Sequence, residues 1–139
     1  MNNPPPEPVE SPAARIMVVD DESALSHLTR LTLERFGGYQ VCEVNHSPDA
    51  IATAGTFHPD LILMDVNMPV IDGGELAVQF REHPSLGKIP IIFLTSMVHS
   101  SEAGDTGLIS NNRRFLSKPI NREFLLAAIR EVLAEKGPA

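Results

Sequence analysis

Two stretches of this 139-residue chain, Leu61–Asp65 (LILMD) and Ile89–Ser96 (IPIIFLTS), stay apolar residue after residue until a polar group ends them. A strand with one wet face alternates, whereas a strand apolar on both faces belongs to a parallel sheet covered from both sides. The end of the first run poses a problem. A carboxylate such as Asp65 is costly at the tip of a buried strand unless it opens to solvent or has a partner.

The remaining segments supply the other parts of such a sheet. Arg15–Asp20 (RIMVVD) reads as the first strand. The next segment places Leu25, Leu28, Thr32 and Phe36 on one helical face, expected to meet the core, with Gly37-Gly38 as the stop. Tyr39–Val44 alternates like an outer strand. Ser47 then stands as an expected N-cap with Pro48 at the first helical position. Asp72 and Glu75 have capping-box spacing and predict a helix through about Glu82. Arg113–Pro119 (RRFLSKP) gives a short fifth strand. Asn121 caps a last helix whose apolar stripe is Phe124, Leu125, Ala128, Ile129, Val132 and Leu133. Between Val98 and Asn112 a short helix is expected, although Gly104 and Gly107 each cost it about 1 kcal/mol.

Five strands alternating with helices predict an α/β fold. With right-handed crossovers, the expected form is a flavodoxin-like, doubly wound five-stranded parallel sheet of order 2-1-3-4-5, with helices on both faces. The expected domain spans residues 15–136. Residues 1–14 are too rich in proline and polar residues to bury a core and read as a flexible tail, and 137–139 form a C-terminal tail. A Pro-rich peptide can also dock to a partner. No internal repeat is evident.

A net charge of −7 and a pI near 5.1 argue against nonspecific binding to nucleic acid. Apolar runs fall short of the roughly 18 residues a membrane span needs. No secretory signal is visible, and Cys42 alone allows no intrachain disulfide, so a cytoplasmic protein is expected. The five histidines (27, 46, 58, 83 and 99) have no ligand spacing.

In this strand order ligands bind at the carboxyl ends of the strands. Strand one ends in Asp20-Asp21-Glu22, strand three in Asp65 with Asn67 two residues on, strand four in Thr95-Ser96, and strand five in Lys118-Pro119. Like charges ~4 Å apart repel by about 1 kcal/mol in water and about 4 at a protein surface. Asp20, Asp21 and Asp65 carry −3 and Lys118 returns +1, so −2 remains. A divalent cation is called for, and a few carboxylates plus water suit Mg²⁺.

This set resembles the receiver domain of two-component response regulators from about Arg15 to Lys136. Asp20-Asp21, Asp65, Asn67-Met68-Pro69, Thr95-Ser96 and Phe115-Leu116-Ser117-Lys118-Pro119 all fall in the family's order and spacing. The resemblance implies that Asp65 accepts a phosphoryl group from a phosphohistidine of a histidine kinase or phosphotransfer protein. It implies Mg²⁺ held by Asp21, Asp65 and the backbone carbonyl of Asn67, with Asp20 acting mainly through a water on the metal. Lys118 would contact the transferred group. Thr95 and Phe115 would form a switch in which the ring turns inward when Thr95 moves, altering the strand 4/helix 4/strand 5 face. A cis Lys118–Pro119 bond is implied as well. Such a protein is not an enzyme in the ordinary sense, catalysing only its own phosphorylation and dephosphorylation.

The segment before strand five, with Arg113 and Arg114, departs from the Gly-Ala pair and acids frequent in the family. No standard dimer mode is carried over for that reason. No DNA-binding, cyclase or kinase segment accompanies the domain, so a stand-alone receiver with output through a downstream protein is expected, or else the N-terminal receiver of a longer chain. Two rivals share the fold. A haloacid-dehalogenase-type Mg²⁺-dependent aspartyl-phosphate phosphatase would have a second Asp at Asn67 and room for a cap domain. A flavodoxin-like cofactor binder needs a Gly/Ser/Thr-rich phosphate loop where this chain has Asp20-Asp21-Glu22-Ser23.

Overall fold

The computed structural model describes residues 13–95, 108–110, 113–118 and 120–136. In chain order the elements are β1 (Arg15–Val19), α1 (Ser23–Thr32), β2 (Gln40–Val44), α2 (Ala50–Phe57), β3 (Leu61–Asp65), α3 (Gly73–Glu82), β4 (Ile91–Thr95), β5 (Leu108–Ser110), β6 (Arg113–Ser117) and α4 (Arg122–Lys136). The sheet order is β2-β1-β3-β4-β6-β5. All pairings are parallel except the last, in which Leu108 faces Phe115 and Ser110 faces Arg113. The five parallel strands thus follow the expected 2-1-3-4-5 pattern. A short antiparallel strand is added at the edge.

That strand occupies the end of the segment expected to be helical. The rest of the expected helix lies outside the described residues, as do Ser96, Pro119, nearly all of the N-terminal tail, and residues 137–139.

Both faces of the sheet are apolar, as the unbroken runs require. Ile16, Val18, Leu61, Leu63, Ile92 and Leu94 pack with Leu125, Ile129 and Val132 of α4. The alternate residues Met17, Val19, Ile62, Met64 and Phe93 pack with Ala50 and Ala54 of α2 and Leu76, Ala77 and Phe80 of α3. Burying each of the larger side chains stabilises the fold by roughly 1.5–3 kcal/mol. β3 is buried along its whole length, Asp65 included.

Two local expectations are corrected. The face of α1 that meets the sheet is Ser26, Thr29 and, just past the helix, Leu33, not Leu25, Leu28, Thr32 and Phe36. Leu25, Leu28 and Phe36 are 40%, 61% and 53% exposed. The cause is the edge strand beneath the helix: Glu43 of β2 receives a hydrogen bond from the Ser26 hydroxyl at 2.7 Å, which turns a polar stripe inward. A wide π-helical turn, Leu33–Gly37, then ends the helix and breaks the spacing of Phe36 with the leucines. Ser47 is not a side-chain cap. It starts a 3₁₀ turn, and its hydroxyl donates instead to the Pro69 carbonyl at 3.2 Å, tying that turn to the loop after β3. The other caps are as expected. Asp72 accepts from the Glu75 amide at 2.9 Å and Asn121 from the Phe124 amide at 3.0 Å.

Candidate functional site: an acidic pocket at the carboxyl edge

The site is assembled from strand ends. The Asp20 amide continues the β1–β2 ladder by donating to the Val44 carbonyl at 3.0 Å. Its carboxylate turns back to accept from the Glu22 amide at 2.9 Å, which starts α1 without a side-chain cap at Glu22 itself. Asp65 ends β3, and its Oδ1 receives the Asn67 amide at 3.4 Å. Lys118 follows β6, where its amide donates to the Thr95 carbonyl at 2.9 Å and so locks the ends of β4 and β6 together.

These backbone bonds bring the charged groups into one pocket. The Lys118 ammonium lies 3.2 Å from Asp65 Oδ1 and 3.5 Å from Asp20 Oδ2. Carboxylate oxygens of Asp20, Asp21 and Asp65 all lie within 4.8 Å of one another. Asp20 and Asp65 are buried, and Asp21 is open to solvent.

Burial opposes the charge of Lys118, but Asp20 and Asp65 outweigh it and hold the ammonium above its ordinary pKa. At Asp20 the charged form is instead disfavoured. Burial raises its pKa, and neither the Glu22 amide nor Lys118 fully offsets this. A carboxyl that holds its proton more tightly folded than unfolded contributes less to stability as pH rises past about 3.8, its ordinary value. At neutral pH the ionised group is therefore a cost. Metal-free Asp20→Asn protein is expected to melt a few degrees above the unmodified chain at pH 7, the gap closing near pH 3, as calorimetry can check.

The donor set suits a hard divalent ion. Its side chains offer oxygen only, and one ammonium faces three carboxylates. Cys42 offers no rival nucleophile, since burial pushes its thiol up to about 11.

Of the residues singled out from sequence, Asp20, Asp21, Asp65 and Lys118 meet in this pocket. Thr95 is buried at the tip of β4, in register with Ser117. Asn67 is exposed beside Asp65. Phe115 stands on the α2/α3 face, half-buried, stacked on Phe93 with ring centroids 5.2 Å apart. Arg114 points the other way and bridges Glu131 and Glu135 of α4 at 2.7 and 3.6 Å.

Gly73 was not foreseen. Its amide donates to the Val66 carbonyl at 2.9 Å, and a Cβ there would meet the Asp65 carbonyl oxygen at 2.5 Å and Val66 Cα at 2.9 Å. Only glycine lets α3 start this close to the end of β3. A glycine next to an N-cap is unremarkable in sequence, so the signal was weak. Gly73→Ala is expected to destabilise the fold by about 1–3 kcal/mol in urea melts and to displace Asp65. Val70, 75% exposed, holds φ of 71°, a strained conformation for a β-branched residue. Val70→Gly is expected to stabilise by about 1 kcal/mol, since relief of strain exceeds the added unfolded-state entropy.

Among the described residues no helix is long and apolar enough to cross a membrane. Residues 16–130 match the model of the response regulator receiver domain. The chain is 32% identical over 121 residues to protein PilH of Pseudomonas aeruginosa, an alignment covering 87% of this chain and 98% of that one. It is 36% identical over 124 residues to response regulator PleD of Caulobacter vibrioides, covering 86% of this chain but only 26% of PleD. Its fold is similar to that of the Vibrio cholerae chemotaxis response regulator CheY4, with a TM-score of 0.71, 29% identity, and 86% and 98% of the two chains covered. With its acids, its lysine and its strand order in the arrangement just described, the chain belongs to the response regulator receiver domain family of two-component signalling.

Proposed function

We propose that Asp65 takes a phosphoryl group from a phosphohistidine of a histidine kinase or phosphotransfer protein in a Mg²⁺-dependent reaction. The observation that carries this reading is the Lys118 ammonium 3.2 Å from Asp65 Oδ1, with Asp20 and Asp21 alongside. Phosphoryl transfer has a loose transition state, so positioning and charge stabilisation do most of the work. A carboxylate needs no general base to attack phosphorus. The Asp65–phosphorus bond forms as the phosphorus–imidazole bond breaks, and the electron pair leaves with the histidine nitrogen. Lys118 is poised to pair with an oxygen of the moving group. Mg²⁺ held by Asp21, Asp65 and the Asn67 carbonyl, with Asp20 at one remove, would supply the remaining charge neutralisation. Acting on no outside substrate, the chain would catalyse only its own phosphorylation and dephosphorylation.

Phosphorylation replaces the −1 of Asp65 with about −2 and adds acceptor oxygens. The Thr95 hydroxyl would turn toward them, and Phe115 would follow, changing the surface around β4, β6 and the segment between them. A downstream protein in the cytoplasm would read that change. The phosphodonor would approach over α1, where Leu25 and Leu28 border a 480 Å³ groove that runs to Asp20 and Lys118. Exposed apolar patches of this kind favour protein contacts.

Incubation with Mg²⁺ and a small acyl phosphate tests the proposal. The expected product is one acid-stable, base-labile phosphoryl group per chain, absent when the metal is chelated. Turnover of many phosphate esters with no stable adduct would favour a phosphatase.

A further inference from the structure

The geometry points to Asn45 and Ser26 as positioning residues that hold Asp20 in place for the divalent cation, an inference that rests on the functional reading above. Asn45, exposed just beyond β2, lies with Nδ2 2.8 Å from the Asp20 carbonyl and 2.8 Å from Ser26 Oγ. Its two amide hydrogens can serve both acceptors. Ser26 Oγ is fully buried and has one hydrogen, with Glu43 Oε1 at 2.7 Å and the Ser23 carbonyl at 3.1 Å. The shorter, charged acceptor takes that hydrogen. The oxygen is then free to accept from Asn45.

The hydrogen bonds therefore diverge from the Asn45 amide, one to the Asp20 carbonyl and one to Ser26. The Ser26 hydroxyl passes the second arm on to the Glu43 carboxylate, so that the Asn45–Ser26 and Ser26–Glu43 bonds strengthen one another. Glu43 is itself anchored, by His27 at 3.2 Å and Arg30 at 3.6 Å from the outer side of α1. Burial opposes its charge, but Ser26, His27 and Arg30 together keep its carboxyl below the usual range. Asp20 is thus gripped at three points. Its amide is held by Val44, its carboxylate by Glu22 and its carbonyl by Asn45. Removing the third should leave the fold intact, since Asn45 is outside the core, but let the carboxylate swing.

The test is Mg²⁺ titration calorimetry on the whole chain, with amide hydrogen exchange in the metal-free state. Asn45→Ala is expected to raise the Mg²⁺ dissociation constant about tenfold, the scale on which groups behind metal ligands act. The Glu22 amide, bonded to the Asp20 carboxylate, should exchange faster. Phosphoryl uptake at saturating Mg²⁺ should stay within about twofold, because the defect lies in affinity. Glu43→Gln, which keeps an acceptor for Ser26, should bind Mg²⁺ nearly as the unmodified chain does, while Glu43→Leu should resemble Asn45→Ala. Lowered stability with an unchanged dissociation constant would overturn the inference and leave the functional reading standing. An unmodified chain that binds Mg²⁺ but takes up no phosphoryl group would overturn the functional reading alone. One that binds no Mg²⁺ would overturn both.

Discussion

Asp65→Asn chain is expected to fold and to take up no phosphoryl group from a small acyl phosphate in Mg²⁺, under conditions that label the unmodified chain fully. The carboxamide fills the same space at the end of β3, where the fully buried run Leu61–Met64 fixes the backbone. It can still accept the Asn67 amide that now meets Oδ1 at 3.4 Å. What it lacks is a negative oxygen able to displace a leaving group from phosphorus. Neither neighbouring acid can stand in. Asp20 is committed to Glu22 and Lys118, and Asp21 is an exposed acid at the rim of the pocket with no salt bridge to Lys118 among the described residues. Intact-mass measurement reads the result.

Lys118→Met is expected to slow uptake by about 10²- to 10³-fold, the scale for losing one preorganised charge at a reacting oxygen. Methionine keeps the length of the stem, so the variant isolates the charge. Without it, the carboxylates of Asp20, Asp21 and Asp65 stand within 4.8 Å of one another and lose the ammonium that pairs with Asp20 and Asp65. Mg²⁺ should then be bound at least as strongly, while the rate at saturating metal remains low. Single-turnover kinetics over a range of Mg²⁺ concentrations separate the two effects. A mere loss of stability would instead be recovered by added Mg²⁺, which stabilises by mass action.

The sheet was legible in the sequence because it is written in composition. Leu61–Met64 and Ile91–Leu94 are apolar on both sides, and only a covered parallel sheet accepts that. The pocket was legible because the strand order puts the ends of β1, β3, β4 and β6 side by side, and each end carried an out-of-place polar group. The orientation of α1 was not. Hydrophobicity selects Leu25 and Leu28, whereas the docked face is chosen by Glu43 across the helix–sheet contact, a partner 17 residues from Ser26. Asn45 and Gly73 were hidden for the same reason. The hydrogen bond from Asn45 to Asp20 spans 25 residues, and the need for glycine at position 73 comes from the Asp65 carbonyl 2.5 Å from where a Cβ would stand. Ser47 had the chemistry of a cap and found a nearer use on Pro69.

Borohydride reduction of the freshly phosphorylated chain, which converts an aspartyl phosphate to homoserine, followed by peptide mapping, locates the acceptor. Homoserine at position 65 alone, formed only when Mg²⁺ was present, is the predicted result. Homoserine at position 20 or 21, phosphate retained on a histidine, or equal labelling without the metal would contradict the account.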